Sequence, residues 1–170
     1  MCQEIKGKAQ VVLAIFANAR GFGLAVMKDA LTLIEAYTVT VKRRPISNKY
    51  LLNRLKEKLE YYAPEVVVLE APEGYGSRKS ERVQKLIKSI EKYATDQKLG
   101  VFQYSRNKIR FVFNAFNAHS KYEIASTIAE NIPELRERLP EKKKSYEAEK
   151  YAMSTFDAVS LAITHYYQTT

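Results

Sequence analysis

The chain has 170 residues, enough for one domain with its own core. Its 46% hydrophobic and 28% charged residues are ordinary for a soluble globular protein. A single cysteine, Cys2, excludes an intrachain disulfide and a cysteine-based zinc cluster. No run approaches the ~20 apolar residues of a membrane span, so no membrane association is expected, and without a secretory signal the expected compartment is the cytoplasm.

The first apolar run, Val11 to Phe16, is unbroken, short and rich in β-branched residues, which predicts a fully buried central strand. Asn18, Gly21 and Gly23 are expected to turn the chain into a second strand over Leu24–Met27, with a further turn at Lys28-Asp29. Leu31 to Val41 alternates, with Tyr37, Val39 and Val41 on one face and Thr38 and Thr40 on the other, and predicts a third strand. Ser47 is placed to cap a helix whose Leu51, Leu52, Leu55, Leu59 and Tyr62 recur at helical spacing and which Pro64 ends. Val66 to Leu69 predicts another buried strand with Glu70 at its C-terminal end, followed by the loop Ala71–Ser77. A helix is expected from about Lys79 to Gln97, a fifth strand over Val101–Tyr104, and short helices over Asn107–Phe113 and Ser120–Ile132. The charged stretch Pro133–Ser145 predicts a mobile loop, and a last helix is expected from about Glu147 to Tyr167. Three strands in a meander, then strands alternating with helices, predict an α/β fold with a five-stranded mixed sheet flanked by helices, in a single domain over residues 1–170.

The formal charge of +9 suits a polyanion such as nucleic acid. The excess is concentrated. Between Arg78 and Arg110 lie ten basic residues against three acids. Arg78, Arg82, Lys85, Lys88 and Lys92 fall on one side of the helix expected there, opposite Val83, Leu86, Ile87, Ile90 and Ala94. Such a stripe either tracks a nucleic-acid backbone or is a solvated face.

At this point the chain resembles the RuvC family of Holliday-junction resolvases, over nearly its whole length. The family's first strand reads roughly I-D-P-G-S-R-x-x-G, and Ile15 to Gly23 here reads IFANARGFG. Val67-Val68-Leu69-Glu70 resembles the family's fourth strand with its catalytic glutamate, and Val101–Tyr104 its fifth. Asp157 to His165, DAVSLAITH, resembles the family's D-A-L-A-x-A-I-x-H in the last helix. The resemblance implies a ribonuclease H-like fold. It also implies a homodimer that binds four-way DNA junctions and a site of four acidic positions that hold Mg²⁺.

Two of those positions depart from the family pattern. Glu70 and Asp157 match, as candidate catalytic and metal-binding residues, but the first position falls on Phe16 and the third on Ser154. Cleavage by two Mg²⁺ ions needs a carboxylate set that two side chains support poorly. Asn18 and Glu73 are the nearest substitutes. The resemblance also points to Arg110 and Lys121 as grips on the scissile phosphate, to the helix with the basic stripe as a dimer face, and to Tyr75 as a wedge against bases. Ordinary surface charge and an exposed loop tyrosine are the alternatives. Three functions stay open: a DNA-binding homologue with weak or no cleavage, an active Mg²⁺-dependent endonuclease with rearranged ligands, and a non-catalytic interaction subunit.

Overall fold

The computed structural model describes residues 10–72, 79–144, 146 and 150–169. Five strands form one sheet: β1 (Val12–Asn18), β2 (Gly21–Asp29), β3 (Thr32–Thr40), β4 (Val66–Glu70) and β5 (Gly100–Tyr104). Their order is β3-β2-β1-β4-β5. The first three pair antiparallel as a meander, and β4 and β5 extend the sheet in parallel from β1. The sheet is mixed, as expected, and β1 is its centre.

The strand period of two sorts side chains to opposite faces. From β1, Leu13, Ile15 and Ala17 join the core beneath helices α1 (Asn48–Tyr62) and α2 (Glu81–Asp96). Val12, Ala14 and Phe16 point the other way, with Val66 and Val68 of β4, into the core around α3 (Arg106–Asn114), α4 (Lys121–Asn131) and α5 (Met153–Thr169). A strand buried on both faces reads as a continuous apolar run, which is why Val11–Phe16 shows no alternation. Helix α5 is buried continuously from Met153 to Tyr166, including Ser154, Asp157 and His165. No helix among the described residues is long and apolar enough to cross a membrane.

Several local expectations are corrected. Gly21 and Gly23 lie inside β2, which runs longer than Leu24–Met27. The first turn is Ala19-Arg20, where Asn18 Oδ1 accepts hydrogen bonds from the backbone N–H groups of Arg20 and Gly21. The second turn lies at Ala30-Leu31, with Asp29 Oδ1 accepting from Leu31 and Thr32. Ser47 caps α1 as expected, accepting from the Tyr50 N–H, and Ser80, Ser105 and Ser120 cap α2, α3 and α4 in the same way. Pro133–Arg138, expected within a loop, forms a 3₁₀ helix that buries Leu135. Arg138 Nη1 from this turn donates to Ala36 O at 2.6 Å, which ties it to β3. Helix α5 begins at Met153, and residues 147–149 of the expected longer helix lie outside the described residues.

Candidate nucleic-acid interface

Strands β1 and β4 run parallel in the register Ile15 with Leu69. The next side chains on the α5 side, Phe16 and Glu70, therefore stand together at the C-terminal ends of these strands. Helix α5 brings Asp157 to the same place. Gly23 decides how closely that helix packs: a Cβ there would lie 2.0 Å from Ser154 O. The missing side chain lets the first turn of α5 rest directly on β2. Asn18 Nδ2 donates to Ser154 Oγ at 2.7 Å, and Thr38 and Thr155 share a hydroxyl hydrogen bond of 2.7 Å, pinning the same turn to β1 and β3.

Glu70 and Asp157 are brought together through a cation. Arg106 Nη2 lies 3.4 Å from Glu70 Oε2 and 3.5 Å from Asp157 Oδ1. Lys79 Nζ stands 3.8 Å from Glu70 Oε2 and donates to Ala17 O at 2.8 Å. Lys121 Nζ lies 3.3 Å from Asp157 Oδ2. All three cations surround the Phe16 ring. Lys79 Nζ is 4.1 Å from its centroid, Lys121 Nζ 5.4 Å and Arg106 Cζ 5.9 Å. The side chains of Lys79 and Arg106 are only 10% and 12% exposed, and that of Lys121 30%. Burial lowers the pKa of Lys79 from its ordinary value, against the opposing pull of Glu70 and Asp157.

Four members of the cluster, Phe16, Lys79, Lys121 and Asp157, form part of the wall of a cleft with a cavity volume of about 330 Å³. Phe16, Asn18, Lys79, Ser80, Lys121, Lys150, Tyr151, Ser154 and Asp157 are among its lining residues. Among the described residues, three lysines and one carboxylate line it, a basic balance.

The sequence-level candidates divide. Glu70, Asp157 and Lys121 meet in one cluster. Arg110 is exposed, and the arginine in the cluster is Arg106, one turn earlier in α3. Arg82, in the stripe, also has a role inside the fold. Its guanidinium donates to Asn48 Oδ1 at 2.8 Å and to Asn18 O at 2.9 Å, so it ties α2 to α1 and to the end of β1. Lys85 and Lys88 are exposed, Lys85 paired with Glu81 one helical turn away at 3.2 Å. Asn18 Oδ1 is committed to the hairpin turn and is not offered as a ligand. Arg78, Tyr75 and Glu73 lie outside the described residues. Lys79 and Arg106 were not singled out by the sequence. Their one local signal is position: each sits next to the serine cap of a helix, at Ser80 and Ser105. Among the described residues, no group of three or more His, Cys, Asp or Glu side chains is placed to hold a metal ion.

No protein-family model matches this sequence, and no curated protein matches it. Solved structures do match. The chain superposes on Thermus thermophilus RuvC with a TM-score of 0.65 at 19% identity, over 93% of this chain and 95% of that one. It matches T. thermophilus RuvC in complex with a Holliday junction substrate at a TM-score of 0.61 and 18% identity, over 94% of each chain. The yeast mitochondrial Holliday junction resolvase Ydc2 gives 0.61 at 13% identity, over 97% of this chain and 82% of the other. The five-stranded mixed sheet with its flanking helices is therefore the RuvC-like, ribonuclease H-like fold.

Proposed function

We propose that this chain, built on the RuvC fold, binds duplex or branched DNA through its backbone phosphates and does so with little or no metal-dependent cleavage. The observation that carries the reading is the reversal of charge around Glu70 and Asp157: two carboxylates are faced by Lys79, Arg106 and Lys121. Magnesium requires near-octahedral oxygen ligands at ~2.0–2.1 Å. Here the carboxylates already face cations at 3.3 to 3.8 Å. Phe16 offers no ligand, and Ser154 Oγ is bonded to Asn18. The residues present do not fit the Mg²⁺ that the family resemblance implies. They do fit a polyanion, because lysine and arginine displace the counterions condensed on DNA without any metal.

Two of the structural neighbours are described as Holliday junction proteins, one of them solved with its junction. A four-way junction is therefore the first DNA to try. The test measures binding to a synthetic junction and to a duplex in EDTA, across a salt series, with a parallel cleavage assay in Mg²⁺. Tight binding that survives EDTA and falls steeply with salt supports the proposal. Lys85→Gln with Lys88→Gln and Lys92→Gln tests the α2 face without disturbing Arg82; each true phosphate contact removed lowers the salt slope by about one unit. An unchanged slope assigns that face to solvent or to a homodimer contact. Robust Mg²⁺-dependent cutting that is lost in Glu70→Gln overturns the proposal in favour of an active endonuclease.

A further inference from the structure

We infer that the Arg106 guanidinium, supported by Lys79 and Lys121, takes the place of divalent ions beside this cleft, where it bridges Glu70 and the cleft-lining Asp157 and so prepares the cleft electrostatically for a phosphodiester. The inference deepens the DNA-binding reading and rests on it for the identity of the anion. Its core concerns the cation alone.

Two buried carboxylates brought this close repel each other and repel any phosphate, so they need a cation between them. Arg106 supplies one from within the chain. A single nitrogen, Nη2, contacts both Glu70 and Asp157. Lys79 and Lys121 add a second contact to each carboxylate. Among the described residues, three cations face two carboxylates here, and Lys150 adds a further cation on the cleft wall. An aromatic face attracts cations and coordinates no metal. The ring of Phe16 is thus matched to ammonium and guanidinium groups, and all three lie within 6 Å of its centroid. The departure at Phe16 and the presence of Arg106 are in this view one change: the site has exchanged a metal's charge for covalently attached charge.

Removing the attached charge should therefore make room for the ion. Arg106→Gln leaves Glu70 and Asp157 facing two lysines. Arg106→Lys keeps the charge. Arg106→Gln with Asp157→Asn restores the parent's net charge but offers a single carboxylate. Circular dichroism first checks that each variant folds. The first measurement is thermal unfolding in Mn²⁺ against EDTA, without DNA. The parent and Arg106→Lys should show no shift. Arg106→Gln should be stabilised in a saturable way, and the double variant should lose that gain. The second measurement is junction binding. Arg106→Gln should bind about tenfold more weakly in EDTA, the scale of one lost charge-assisted contact, and recover in Mn²⁺.

Saturable stabilisation of the parent by Mn²⁺, abolished by Glu70→Gln, overturns the inference. So does an Arg106→Gln variant that folds and gains nothing from Mn²⁺. If Arg106→Gln does not fold, the double variant decides: junction binding in EDTA close to the parent's supports the inference, and a loss as large as tenfold overturns it. A parent that binds no DNA at all overturns the function proposed above, while the Mn²⁺ measurement still decides the role of Arg106.

Discussion

The Lys79 ammonium lies 4.1 Å from the centroid of the Phe16 ring and donates onward to the carbonyl of Ala17. Both side chains are largely withdrawn from water, where a cation over an aromatic face is worth ~2 kcal/mol or more. Phe16→Leu keeps an apolar side chain but removes that face. It should cost about 1–2 kcal/mol in chemical denaturation. In a double-mutant cycle with Lys79→Met, a coupling of about 2 kcal/mol between the two positions is expected. Additive losses would mean that Phe16 acts only through packing.

Gly23 tests the contact that seats α5. An added Cβ would fall 2.0 Å from Ser154 O and 2.4 Å from Ser154 C, both backbone atoms that no rotamer change can move. Gly23→Ala should destabilise the protein by about 3 kcal/mol. A variant that still folds should also bind DNA more weakly, because Ser154 and Asp157 share the displaced turn. Gly23→Ala with the parent's melting temperature would show that the helix can shift at no cost.

Much of the fold was legible because its signals are local. Unbroken apolar runs mark strands buried on both faces, and Leu51, Leu55 and Leu59 mark the buried side of α1. Glu70 and Asp157 could be paired only through the family resemblance, and Arg106 now joins them. What the sequence hid depends on closure over long separations. Gly23 looks like a turn glycine until Ser154, 131 positions later, presses against it. Lys79 and Arg106 look like two more members of a basic run. Only the meeting of β1, β4 and α5 turns them inward, while Lys85 and Lys88 stay outside. Leu135 was masked by its charged neighbours, though it anchors the 3₁₀ helix.

Arg82 and Lys85 are three residues apart in one helix and should behave differently. Arg82 makes two charge-assisted hydrogen bonds, to Asn48 and to the backbone of Asn18. Arg82→Gln should cost about 2 kcal/mol of stability. Lys85→Gln loses an exposed pair with Glu81 and should stay within about 0.5 kcal/mol of the parent. Equal effects of the two substitutions on the denaturation midpoint would contradict the structural role given to Arg82.

His165 sets a pH dependence whose sign can be worked out. It is fully buried on α5. Its Nδ1 shares a hydrogen bond of 2.8 Å with the hydroxyl of Tyr104, and its ring packs on Phe102 at 4.6 Å. Burial lowers its pKa below the ordinary 6.5. The unfolded chain therefore takes up a proton at a higher pH than the folded one. Stability from this group is fully present above pH 6.5 and is lost as pH falls through 6.5 toward the depressed folded value. A single such group contributes a slope of at most about 1.4 kcal/mol per pH unit. His165→Phe keeps an aromatic ring against Phe102 and removes the titration, while the half-buried Tyr104 hydroxyl can turn to water. Unfolding free energies measured from pH 7 to pH 5 should fall for the parent and fall less for His165→Phe. The two curves should converge or cross toward the acid end. Parallel curves would show that another group carries the acid sensitivity.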